Sequence, residues 1–148
     1  MAKIRVDQIG DYVQNRLEAL LRAAVLETDR LVKSKSPVDT GRFRFGWQVG
    51  ENAAGSTPPP PGNYSGIPPM RAYNYQAGQE KLGNIYSVHN NLPYAEPLAG
   101  GSYPPSWGGQ YRSKQAEPGW VQGIAKDVQG RIIKAAAGIG RTYTRNRQ

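Results

Sequence analysis

The sequence predicts an α+β fold: a small antiparallel sheet packed against a long N-terminal helix and a C-terminal helix, with long Pro/Gly-rich loops between them. Three observations carry this. Apolar residues recur at three- and four-residue steps through residues 6–33 and again through 121–136, while Phe43, Phe45, Trp47 and Val49 alternate at period two between them.

The first helix rests on Val6, Ile9, Val13, Leu17, Leu20, Leu21, Ala24, Val25 and Leu31. Asp7 or Asp11 can cap its start, and Pro37 ends it by about residues 34–36, because proline lacks an N–H and pushes Ser36 to extended geometry. Arg16, Arg22 and Arg30 interleave with Glu18, Glu27 and Asp29, so the outer face reads as laced with salt bridges rather than as a nucleic-acid stripe. Asp39-Thr40-Gly41 supplies turn chemistry. The strand that follows should turn its aromatic face to the core and Arg42, Arg44 and Gln48 outward.

Residues 50–69 contain Pro58-Pro59-Pro60-Pro61 and Pro68-Pro69, which favour a stiff polyproline II rod. An irregular connection of this length reads as an arm laid on a neighbour; an SH3-type ligand is a lesser reading. Tyr73, Tyr75 and Ala77 suggest a short strand, and Ile85 to His89 a second one. A Gly-, Pro- and aromatic-rich loop over 102–117 leads to Pro118 as the first residue of the last helix. Gly138 and Gly140 should stop that helix and leave a basic tail over about 138–148. The expected organisation is one domain, 1–148, with the arm and the tail projecting.

Charge and cysteine count narrow the function. The 148 residues carry a formal charge of +8, and the last stretch holds Arg141, Arg145 and Arg147 without an acid, which suits a polyanion, an acidic protein face or a solvated tail. With no cysteine there are no disulfides, thiolate zinc sites or cysteine nucleophiles. His89 is the single histidine, and no Gly-x-Ser-x-Gly elbow or phosphate loop occurs, so neither catalysis nor any cofactor or metal is expected. No leader or membrane span is read, which makes an intracellular product the expectation. The tyrosines and tryptophans of the middle region read as protein-interface anchors in preference to base-stacking platforms. The candidate partner surface is Pro58, Pro59, Pro60, Pro61, Tyr64, Tyr103, Trp107 and Tyr111, and the candidate polyanion contacts are Arg42, Arg44, Arg141, Arg145 and Arg147.

Three segments in order resemble the tail-completion proteins (neck or head-to-tail joining proteins) of long-tailed bacteriophages. They are Ser36-Pro37-Val38-Asp39-Thr40-Gly41-Arg42, whose turn landmark is Pro37, Asp39, Thr40 and Gly41; Asn90-Asn91-Leu92-Pro93-Tyr94-Ala95; and Gln115-Ala116-Glu117-Pro118-Gly119-Trp120-Val121. Glu117 is an insertion relative to the family pattern, Pro97 and Ala99 stand where an acidic residue is common, and the proline stretch is unusually long. The resemblance implies a non-enzymatic virion component at the head-tail junction, present in the host cytoplasm during assembly. It implies a homo-oligomeric ring of six subunits between a head-closing stopper and a tail terminator or tail tube protein, with nonspecific contact to DNA in the lumen. The alternative from another class is a basic nucleic-acid-binding module.

Overall fold

The computed structural model describes residues 5–38, 41–55, 57–93, 95 and 119–147, with 140–147 described by backbone alone. A 3-10 turn, Val6–Gln8, leads into helix α1, Ile9–Lys35, which is 27 residues long and so about 40 Å. It stops where Pro37 requires, with Ser36 extended at φ −61° and ψ 134°. Strands β1 (Trp47–Glu51), β2 (Ala72–Tyr73) and β3 (Tyr86–Asn90) form one sheet in the order β2-β1-β3. The last helix, named α3 below, spans Trp120–Arg147 and packs along α1.

The chain between α1 and β1 departs from the alternation read in the sequence. Gly41 lies in the left-handed region at φ 84° and delivers the backbone into a single helical turn, α2, Arg42–Phe45, before the strand begins at Trp47. Phe45 N–H donates to Gly41 O at 3.1 Å, and Gly46 N–H to Phe43 O at 3.0 Å. In a helical turn, residues two apart point to nearly opposite sides. Phe43 therefore enters the core while Phe45 packs on Tyr64, ring centroids 5.1 Å apart.

The sheet is mixed, not antiparallel. β1 pairs antiparallel with β3, Val49 opposite Val88, but parallel with β2, Val49 opposite Ala72. A parallel pair requires a crossover of a dozen or more residues. Residues 52–71, the proline-rich stretch, form that crossover, which accounts for their length. β1 is buried on both faces. Trp47 and Val49 face the helices; Gln48, opposite His89, lies on the other face and is only 5 % exposed.

Two apolar clusters result. The larger joins Val32, Phe43, Trp47, Leu92, Ala95, Trp120, Ile124 and Val128. Its centre is three rings meeting edge to face: Phe43 with Trp47 at 5.6 Å, Phe43 with Trp120 at 6.4 Å, and Trp47 with Trp120 at 6.3 Å. Such pairs contribute roughly 0.5–1.5 kcal/mol each beyond their buried area. Trp47 Nε1–H donates to Ser36 Oγ at 2.8 Å, and Ser36 Oγ donates to Val32 O, so the end of α1 is tied to the start of β1. The smaller cluster joins Val25, Val49 and Tyr75. Outside the core, Glu27 bridges the two long helices, accepting from Arg30 at 2.7 Å and Arg131 at 2.8 Å. The hydrogen bond from Arg30, then that from Arg131, lowers its pKa to about 2 against the opposing effect of burial.

At its start α3 has Gly119 in the left-handed region, φ 75°, with Gly123 N–H donating to Gly119 O at 2.9 Å. Pro118 lies outside the described residues. The helix runs on through Gly138 and Gly140, contrary to the stop expected there. A glycine in a helix costs on the order of 1 kcal/mol relative to alanine, which weakens a helix without ending it.

Gly41 is constrained twice. Besides its positive φ, a Cβ there would lie within 3.0 Å of the Tyr64 carbonyl. The left-handed conformation costs other residues about 1–2 kcal/mol, and the overlap adds to it. Gly41→Ala is expected to lower the unfolding free energy by about 2 kcal/mol or more in urea titration; an unchanged midpoint would mean that the 64 backbone yields freely.

Candidate interaction surface around the crossover loop

Proline has no N–H, so a proline-rich segment can dock by backbone only through its carbonyls. The body supplies the donors as side chains. Gln48 Nε2 donates to Thr57 O at 2.9 Å, as does Arg71 Nη2 at 2.9 Å; Arg42 Nε donates to Pro59 O at 2.9 Å, Lys33 Nζ to Pro69 O at 3.2 Å, and Asn91 Nδ2 to Gly55 O. Tyr64 O–H closes the loop on itself by donating to Pro60 O at 2.5 Å. The stretch read as a projecting arm is thus laid over the polar face of the sheet, with Pro59 buried and Pro60 and Pro61 exposed.

Below it lie Gln48, Ser87 and His89. His89 Nδ1 is 3.2 Å from Ser87 Oγ, and its Nε2 is buried without a hydrogen-bond partner. Burial lowers the pKa of His89 below the usual histidine range, and nearby Arg71 acts in the same direction, outweighing backbone hydrogen bonds that favour the cation.

Between the end of α1 and the returning loop is a cleft of about 470 Å³, whose lining includes Asp29, Lys33, Arg44, Ile67 and Met70. Asp29 and Lys33 form a buried ion pair at 2.7 Å, yet Asp29 Oδ1 has no partner. Arg44 Nε is likewise buried and unpartnered.

The candidate residues separate accordingly. Pro37 is buried at the helix end and Gly41 forms the turn, whereas Asp39 and Thr40 lie outside the described residues. Pro58, Pro59, Pro60, Pro61 and Tyr64 belong to the docked loop. Tyr103, Trp107 and Tyr111 lie outside the described residues, as do the side chains of Arg141, Arg145 and Arg147. Arg42 and Arg44 are not on a cationic strand face: one holds Pro59 and the other lines the cleft.

Several aromatics read as interface anchors are internal instead. Trp120 and Tyr75 are buried, and Tyr75 O–H donates to the buried Glu80 at 2.7 Å. Tyr86 stacks edge to face on Tyr75 at 5.8 Å and donates to Glu51 at 2.7 Å. Tyr73, by contrast, is 43 % exposed. The sequence reading missed Gln48, Arg71 and Asn91 as loop holders, and the Asp29–Lys33 pair. A signal for the pair was present, since Asp29 falls at helical spacing between Val25 and Val32, on the stripe that faces inward.

Among the described residues no group of three His, Asp or Glu side chains could hold a metal ion. Comparison of the chain with protein-family models, curated proteins and solved structures gives no match.

Two outcomes test the docked loop. Arg42→Ala removes the donor to Pro59 O and should cost about 1.5–3 kcal/mol, the range for hydrogen bonds involving charged groups. Limited proteolysis should then cut within residues 57–66 before the core unfolds; cutting only on global unfolding would contradict the arrangement. For His89, a folded pKa below the unfolded value means that its contribution to stability is complete above about pH 6.5 and is lost as pH falls from there through the lowered folded pKa. Urea midpoints measured from about pH 7 to 5 should decline for the parent and decline less for His89→Gln.

Proposed function

We propose that the chain is a non-enzymatic structural protein of the neck of a long-tailed bacteriophage, forming a homo-oligomeric ring between the head-closing stopper and the tail. One observation carries the reading beyond the resemblance itself. The three segments that bear the resemblance, far apart in sequence, converge on one core: Ser36 holds Trp47, Leu92 and Ala95 lie in the cluster, and Trp120 completes the ring contacts. Their spacing and order are what a shared fold would require, and their chemistry is that of packing rather than of partner contact. The Asn90 segment supports this: Asn90 Nδ2 donates to Phe43 O at 2.8 Å, and its Oδ1 accepts from Leu92 N–H at 3.2 Å.

The distribution of burial favours assembly. α1 has no buried residue before Val25, although Val13, Leu17 and Leu20 continue its apolar stripe and are only partly buried. On α3, Ile133 is 63 % exposed. A helix pair with an incompletely covered stripe gains by packing against further copies. Four of the described cations, Arg30, Arg42, Arg71 and Arg131, are engaged within the chain, which leaves fewer of them to serve the nucleic-acid alternative.

Native mass spectrometry and negative-stain imaging of the purified protein should give closed rings, six subunits being the number implied by the resemblance. Leu17→Glu should yield folded monomers with an unchanged circular dichroism spectrum. Tight binding of duplex DNA by a monomeric protein, with no ring at any concentration, would overturn the proposal.

A further inference from the structure

The cleft beside the crossover loop holds two buried polar atoms of opposite need. Asp29 is 6 % exposed; one carboxylate oxygen takes the Lys33 ammonium, and Oδ1 accepts nothing. Arg44 presents a buried Nε–H that donates to nothing among the described residues, and none of their carboxylates lies within ion-pair distance of its guanidinium. A buried polar group without a hydrogen-bond partner is destabilising, and more so when it is charged. Both line the same cleft of about 470 Å³, large enough to admit a side chain with the backbone on either side of it.

Of the three cations lining the cleft, two are paired. Lys33 offsets Asp29, and Arg30 is held by Glu27. Arg44 remains as the uncompensated cation. The rim is apolar: Ile67 is 95 % exposed and Met70 38 %.

We propose that this cleft is a docking site for an acidic polypeptide segment, in which an Asp or Glu side chain reaches Arg44. A neighbouring backbone N–H of that segment satisfies Asp29 Oδ1, and flanking apolar side chains cover Ile67 and Met70. The complementarity is to a peptide rather than to a nucleic-acid backbone. A phosphodiester offers no N–H to Asp29, is repelled by that carboxylate, and gains nothing from the apolar rim. The assignment does not depend on ring formation or on the neck reading.

The test uses the full-length protein and two capped tripeptides at millimolar concentration, acetyl-Leu-Glu-Leu-amide and acetyl-Leu-Gln-Leu-amide, followed by NMR. The glutamate peptide should shift the Arg44 Nε–H resonance and the methyl signals of Ile67 and Met70. The glutamine peptide should bind about tenfold more weakly, as expected for loss of a charge-assisted bond. Arg44→Gln should abolish the difference between the peptides, while Arg44→Lys, which keeps the charge but not the fork, should retain part of it. Because the two peptides are compared on the unaltered protein, the result stands even if a variant folds poorly. Equal shifts from both peptides, an undiminished preference in Arg44→Gln, or stronger perturbation of these signals by a short oligothymidylate than by the glutamate peptide would overturn the assignment.

Discussion

The contact among Phe43, Trp47 and Trp120 sets the position of nearly everything else. Each ring comes from a different element: a helical turn, the central strand and the last helix. Trp47 is also hydrogen-bonded to Ser36, which closes α1. A change in the angle of any one ring would move a whole element, since close-packed interiors transmit displacement instead of absorbing it. The glycine that turns the chain into α2 permits this meeting, and its lack of a side chain also lets the crossover loop approach at residue 64.

The second organising constraint is the parallel pairing of β1 with β2. It obliges the chain to travel from one end of the strand back to the other, and a proline-rich segment makes that journey without helix or strand. The return path covers the polar side of the sheet. Gln48 and the Nε2 of His89 are buried by backbone, not by a second apolar layer, which is why the atoms beneath the loop are polar and why that nitrogen has no partner among the described residues.

Much of the fold was legible because periodicity is a local signal. Leu21, Val25 and Leu31 announced the inward stripe of α1, Pro37 its end, and Ile124 with Val128 the packed face of α3. The errors came where local pattern and long-range pairing disagree. Phe43, Phe45, Trp47 and Val49 alternate as a strand would, but the left-handed Gly41 forces a helical turn, so the alternation there arises from two aromatic residues serving different neighbours. Nothing local to Ala72 and Tyr73 says that they pair parallel with β1; that depends on the path of the loop. Tyr75 reads as an interface anchor in the sequence, but its hydroxyl donates to the buried Glu80, which also accepts from Gly78 N–H, and both residues are internal. Of the candidate surface, the proline stretch was visible from composition, but the donors that hold it were not, because Gln48, Arg71 and Asn91 lie far from it in sequence or on other elements.

A loop attached by its carbonyl oxygens is attached by the part of the chain that every residue has. The donors recognise a backbone path, and the side chains on the outer surface of that path, Asn63 and Ser65 among them, take no part in the recognition. The outward face of the loop can therefore change its chemistry over a wide range while its seat stays the same. A rigid seat with a freely rewritable exterior lets a small domain acquire a new neighbour without first relearning how to fold.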